Sequence, residues 1–357
     1  MDAKELAELN IGEDLDQLIN LDPRGYGVCR ILYKGTRAYM GEPAVMKCAK
    51  KLKSVLRQDD IVYIITGFVL LPHRKAETDG IIGAMLFARL LVKAYGAKPV
   101  IICPEECKDA VRRLSVVVGL HLYDSCKEIR SMPIAAGRIV FTKEQERAEG
   151  QATEILRELP PKAVIAIEAP GANAKGVYHT AKGLDVTELE AKTDVLFHKC
   201  REAGILTIAI GDLGNELGMG TLKNHLQKYV PYMEENGCVC GCGGGSSSAE
   251  AADYIITTTI SHWGAQALIA ATAWLFQQPE LIHGGDMEKE AIKTASNCGM
   301  VDMNGWVDYA IDGIGMDFHL CLLEVMRQCV VNSLRHFAIC GEWFERVIDK
   351  KFFEPGA

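Results

Sequence analysis

No stretch of the chain reaches the roughly 18 consecutive apolar residues that a membrane-spanning helix needs. There is no basic excess either. The net charge is −8, and nucleic-acid binding needs a basic face. The opening MDAKELAELNIGEDLDQL lacks the basic and then apolar regions of a secretory leader, and it is too acidic for a transit peptide. The expected compartment is the cytoplasm. No G-x-x-x-x-G-K-[ST] occurs, so a P-loop is unsupported, and neither glycine-rich stretch fits G-x-G-x-x-G. There is no internal repeat and no disulfide framework. The thirteen cysteines are scattered, many in apolar contexts such as Cys103 and Cys321, where a reduced thiol acts as a small core hydrophobe.

What is present suits a large soluble core: 357 residues, 48% hydrophobic and 24% charged. Short apolar runs alternate with helical patterns. Strands are expected at Asp60–Thr66, Lys98–Cys103, Arg138–Thr142, Lys162–Glu168, Leu206–Ile210 and Tyr254–Thr258. Helices are expected at Gly83–Tyr95, Glu144–Leu159, Thr193–Ala203, Trp263–Phe276 and over most of Met316–Phe353. The pattern predicts an α/β fold with a mainly parallel open sheet and helices on both faces. Residues 1–55 read as a helical lead-in and 56–357 as the α/β domain, closed by a helical C-terminal segment. The low-complexity stretch CVCGCGGGSSSAEA, residues 238–251, reads as a surface loop or hairpin.

Ligands of open α/β sheets bind beyond the carboxyl ends of the strands. Four successive strand ends carry polar groups flanked by glycine: Glu77 and Asp79, then Glu168 and Asn173, then Asp212, Asn215 and Glu216, then Ser261 and His262. Any one of these motifs alone is accounted for as a turn or a helix cap. Together they predict a shared acidic site. Carboxylates gathered at one rim repel unless a cation joins them, and hard oxygen donors suit Mg²⁺, Mn²⁺ or Ca²⁺ better than zinc. Cys238, Cys240 and Cys242 form C-x-C-x-C, but no second Cys/His pair at finger spacing follows, so they read as free loop thiols. His73, Arg74 and Lys75 read as a solvated loop, with capture of a substrate carboxylate as the alternative. Trp263 reads as a packing residue.

The motifs ETDG followed by GA, EAPG-x-N-x-x-G-x-Y, GD-x-GNELGMG and AD-[YF]…S-x-WGA-x-AL stand in the order found in the D-glutamate cyclase family, which the chain resembles from about residue 60 to residue 340. The resemblance implies a metal-associated lyase of amino-acid metabolism that converts D-glutamate to 5-oxo-D-proline and water. For that reaction the acidic rim offers Glu168, Asp212 and Glu216 as the expected metal ligands, with Mg²⁺ or Mn²⁺ first and Ca²⁺ third. Glu77 and Asp79 would be further ligands or the base, His262 would move protons, and Asn173, Asn215 and Ser261 would bind the substrate. The sequence departs from the family pattern at Ile81 and Ile82, where proline is usual nearby, at Leu213 in place of glycine, at His262 in place of asparagine, and in the Cys-Gly-Ser stretch. A metal-dependent hydrolase of a small amide, lactam or phosphate ester is the main rival, and a non-catalytic amino-acid or metal sensor the other. The implied partner is a small carboxylate or amino acid, not nucleic acid or membrane. A homo-oligomer is compatible with the chain.

Overall fold

Residues 1–353 are described by a computed structural model. The last four residues of the expected α/β domain, 354–357, lie outside the described residues. The helices are α1 (Ala3–Ile19), α2 (Val28–Met40), α3 (Ala44–Val55), α4 (Ile81–Leu90), α5 (Lys108–Val117), α6 (Cys126–Ser131), α7 (Gln145–Glu158), α8 (Thr193–Glu202), α9 (Lys223–Tyr229), α10 (Ser261–Phe276), α11 (Gly285–Asn297), α12 (Met316–Ile339) and α13 (Gly341–Asp349). The strands are β1 (Ile61–Thr66), β2 (Val69–Leu70), β3 (Lys75–Ala76), β4 (Lys98–Cys103), β5 (His121–Tyr123), β6 (Ala135–Val140), β7 (Ala163–Ile167), β8 (Leu206–Gly211), β9 (Tyr254–Thr257), β10 (Ala310–Ile311) and β11 (Ile314–Gly315).

Seven strands form one parallel sheet in the order β5-β6-β4-β1-β7-β8-β9. β1, β4 and β7 are buried along their whole length, as near-continuous apolar runs require when helices cover both faces. The chain leaves β1 toward β4 on one side and later returns to β7 on the other. The strand order therefore reverses between β1 and β7, and a crevice opens there at the carboxyl ends. All four motif-bearing strand ends follow β1, β7, β8 and β9, which are neighbours in the sheet.

The lead-in is helical, as expected. Its Leu15, Val45 and Leu52 belong to the same hydrophobic core as Ile64 of β1, Leu268 of α10 and Met326 of α12. The helix from Gly83 begins at Ile81, and a π-helical turn over Leu91–Tyr95 carries it to Gly96. Within the seven-stranded sheet two elements differ from the sequence reading, and the short β2–β3 and β10–β11 pairs lie outside it. β6 starts at Ala135, three residues before the expected Arg138. Arg138 is buried within it, and its guanidinium holds both oxygens of Asp124 at 2.9 and 2.8 Å. β5 is a three-residue edge strand too short and too exposed to show an apolar pattern. Among the described residues no helix is long and apolar enough to cross a membrane.

Candidate active site

Beyond β1, β7 and β8 lies a cavity of about 200 Å³. Glu77, Glu168, Asp212 and Asp312 line it, with Asn215, Lys182 and the apolar side chains of Phe68, Leu70 and Met303. A larger groove of about 680 Å³ holds Lys47, Lys51 and Lys162 at the opposite, amino-terminal edge of the strands, away from the acidic groups. The acidic cavity is small beside the roughly 300–1,000 Å³ typical of drug-sized ligand sites, so it suits a molecule of amino-acid size.

Each strand end delivers its carboxylate by a different local device. After β1 the chain makes the β2–β3 hairpin and then places Glu77, whose N–H donates to the Phe68 carbonyl at 2.9 Å. Two residues on, Asp79 reaches across to α10. Its Oδ1 accepts from the N–H groups of Gly80 and His262 at 2.7 Å each, and its Oδ2 accepts from Ser261 N–H at 2.9 Å. Ile260, the residue before that helix, has no side-chain acceptor, so Asp79 caps α10 from another element. Glu168 follows β7 with φ +44, a conformation costly for a residue with a Cβ and most often kept where function requires it. Its Oε2 accepts from Ser261 Oγ at 2.7 Å.

The glycine-rich GDLGNELGMG after β8 folds around its own glutamate. Glu216 accepts from the N–H groups of Asp212 (3.1 Å), Leu213 (2.7 Å) and Gly214 (2.6 Å). Gly214 has φ +105, which aims its N–H at that carboxylate and which a Cβ would disfavour. Glu216 is thereby fixed, and Asp212 is left directed at the cavity. Asp79, Asp212 and Asp312 each place one oxygen within 4.8 Å of the others, and so do Glu168, Asp212 and Glu216. Asp212 belongs to both groups.

The electrostatics follow from burial. Burial, and then the charge of neighbouring acids, pushes Glu77, Glu168 and Asp212 well above the usual carboxylate range. The same causes raise Asp79 to about 7. Arg24 is the cation in contact with the cluster, at 2.9 Å from Asp312 and 3.9 Å from Asp212. One guanidinium does not balance this many buried acids. The all-oxygen donor set and the uncompensated charge both fit a hard divalent cation.

The sequence-derived site residues divide into three groups. Glu77, Glu168, Asp212 and Asn215 line the cavity. Asp79, Glu216 and Ser261 sit immediately behind that lining, bonded as described. Asn173 and His262 are not brought to the cavity. The Asn173 amide is used elsewhere: its Nδ2 donates to the Gly245 carbonyl of the cysteine-containing loop at 2.7 Å, and its Oδ1 accepts from Lys175 and Val177 N–H within its own loop. The fully buried His262 ring points the other way, with Nε2 at 2.5 Å from Glu288, whose second oxygen meets His283 at 2.7 Å. Burial alone would raise the Glu288 pKa, but His262 and His283 override it and hold it well below the usual range.

His73, Arg74 and Lys75 are exposed at the β2–β3 turn, and Trp263 is a fully buried packing residue whose ring stacks on Phe318. Arg24, Asp312 and Lys182 went unmarked by the sequence reading. Asp312 sits in the Asp-Gly turn between β10 and β11 with φ +55, where turn chemistry already accounts for it. Arg24 lies in DPRGYG, a turn signature without a chemical one.

Residues 15–327 match the family described as D-glutamate cyclase-like, C-terminal, and the chain belongs to that family. A segment of 114 residues is 32% identical to D-glutamate cyclase, mitochondrial, of Homo sapiens. That segment is 32% of this chain and 17% of the human protein.

Proposed function

We propose that this member of the D-glutamate cyclase-like family closes D-glutamate into 5-oxo-D-proline with release of water at the acidic cavity, using Mg²⁺ or Mn²⁺, with Ca²⁺ as the third candidate. The observation that carries the proposal is the convergence of Glu77, Glu168, Asp212 and Asp312 on one small cavity at the reversal point of the sheet. Asp212 and Asp312 would hold the cation, with Glu168 beside them, because Glu216 is already held by three N–H donors. A cation held there would supply positive charge to polarise the γ-carboxyl group and offset oxyanion charge.

Ring closure forms one C–N bond and breaks one C–O bond. Two protons pass from the substrate ammonium to the departing oxygen, which leaves as water. Glu77 is the group for that transfer, because it lines the cavity and burial raises its pKa well above the usual carboxylate range, which favours its holding a proton. Asn215 orients the amine. Its Nδ2 is committed to the His179 carbonyl at 2.9 Å, which leaves Oδ1 as a buried acceptor without a partner. Lys182, exposed at the mouth, meets the α-carboxylate. The small cavity holds the substrate chain folded, which supplies the proximity that an intramolecular reaction exploits. The thirteen unpaired cysteines support a reducing compartment such as the cytoplasm.

The test is incubation with D- or L-glutamate and each cation, with the product read by NMR. Lactam should form with the D-enantiomer, and more slowly with the L-enantiomer. Cleavage of small amides, lactams or phosphate esters, with neither glutamate consumed, would favour the hydrolase.

A further inference from the structure

We propose that His179 Nε2 and the Sγ atoms of Cys238, Cys240 and Cys242 form a tetrahedral zinc site that anchors the wall of the acidic cavity. The structure brings these four side chains from two distant loops to one point, each offering a ligand atom within 4.8 Å of the others. The Sγ of Cys238 lies 3.5 Å from that of Cys242 and 3.6 Å from that of Cys240. His179 Nε2 lies 3.1 Å from Cys240 Sγ and 3.7 Å from Cys242 Sγ. Zinc bonds of about 2.3 Å to sulfur and 2.0–2.1 Å to nitrogen, at tetrahedral angles, require edges of about 3.8 Å between sulfurs and about 3.6 Å from sulfur to nitrogen. The two sulfur–sulfur edges and the His179–Cys242 edge fall near those lengths, and the His179–Cys240 edge, at 3.1 Å, is the short one.

The donor set is soft, three thiolates and one imidazole, and selects zinc over the hard cations suited to the carboxylates. All four positions are filled by protein, which makes the site structural and not catalytic. The loop is built for it. In an extended strand the three cysteines would share one face but stand roughly 7 Å apart in succession, whereas Gly241, Gly243 and Gly245 all have positive φ and curl the segment so that the three thiols converge. The Gly244 N–H and Asn173 Nδ2 lie 3.4 and 3.3 Å from Cys242 Sγ, in position to donate to a thiolate.

The two loops also touch through their backbones. Cys240 N–H donates to the Gly183 carbonyl at 3.2 Å, and a Cβ at Gly183 would lie 3.0 Å from Cys238 Cα. The loop fixed in this way carries Thr180, Ala181, Lys182 and Leu184, all lining the acidic cavity. The His179 carbonyl also holds Asn215. A metal at the four ligands therefore tethers one side of the cavity to the loop after α9. The inference does not depend on which reaction the cavity performs.

The test is metal analysis of the full chain, purified under reducing conditions with zinc supplied and then dialysed against a chelator. Native mass spectrometry should find about one zinc per chain. Glu168→Gln with Asp212→Asn should keep that zinc, whereas Cys240→Ser should lose it and His179→Cys, a four-thiolate set, should retain it. Cobalt loaded in place of zinc should give tetrahedral d–d bands and a thiolate charge-transfer band. If Cys240→Ser does not fold, the wild-type cobalt spectrum still decides. Absence of zinc from the wild-type chain, a Cys238–Cys242 disulfide in its place, bound iron with visible absorbance, or zinc lost with the carboxylate variants and kept by Cys240→Ser would each overturn the site.

Discussion

Asp212 and Asp79 stand beyond β8 and β1, two strands flanking β7, and do different work. Asp212 shares two carboxylate clusters and accepts few protein donors, so its charge is opposed by burial and by the neighbouring acids and met by Arg24 at 3.9 Å. Asp79 spends both oxygens on backbone N–H groups of α10 and Gly80. The two should therefore respond oppositely in the cation-free protein. Asp212→Asn removes a repelling charge and should raise the melting temperature while weakening cation binding at least about tenfold, as read by calorimetric titration. Full cation affinity in that variant would contradict the assignment of Asp212 as a ligand. The motif GDLGNELGMG announced that carboxylates gather after β8. It did not announce that Glu216 would be held by its own loop and Asp212 left for the cavity, because that division depends on φ at Gly214.

At the scale of the element, α10 starts without a cap of its own. Asp79→Ala should cost about 1 kcal/mol, near the usual loss for a helix cap, partly offset by relief of repulsion. Denaturant unfolding of the cation-free chain measures it, and a variant more stable than the parent would show that repulsion dominates. The first turn of α10 also carries His262 into contact with Glu288 of α11. Glu288→Gln should destabilise the chain by about 3–5 kcal/mol, the cost of leaving a buried partner unpaired. Loss of cation affinity with unchanged stability would instead return His262 to the cavity. The strands were legible because buried parallel strands are short apolar runs, and Lys98–Cys103 lies where its residues alone place it. β5 was not, since its three residues gain their pairing only from β6. The cysteine loop was read as free thiols because its fourth candidate ligand lies 61 residues before Cys240, outside any local spacing.

Over the whole molecule, buried acid makes cation-free folding sensitive to pH. Asp79 rises from 3.8 toward about 7, and Glu77, Glu168 and Asp212 shift the same way. Across that window the folded state binds more protons than the unfolded one, so stability is greatest at the acid end and falls as pH rises through the folded pKa values. Glu288 is shifted the other way, and its contribution is lost only on acidification below the usual carboxylate range. The melting temperature without cation should therefore drop between about pH 5 and pH 8, and saturating Mn²⁺ should restore most of the loss. A rise with pH, or no effect of cation, would contradict the account of the cluster. The fold that gathers these acids was largely foreseeable. Its complement was not, because Arg24 and Asp312 come from turns at opposite ends of the chain and meet only through tertiary packing.

The most direct test of the central claim follows the oxygen atoms. D-Glutamate carrying ¹⁸O in both γ-carboxyl oxygens is incubated with the chain and Mn²⁺ or Mg²⁺, and the products are read by mass spectrometry. Closure at the acidic cavity predicts a lactam that keeps one labelled oxygen, the other appearing in water, and Glu77→Gln should slow its formation by about two orders of magnitude or more. Unreacted, fully labelled glutamate after incubation with cation bound to the wild-type chain would contradict it.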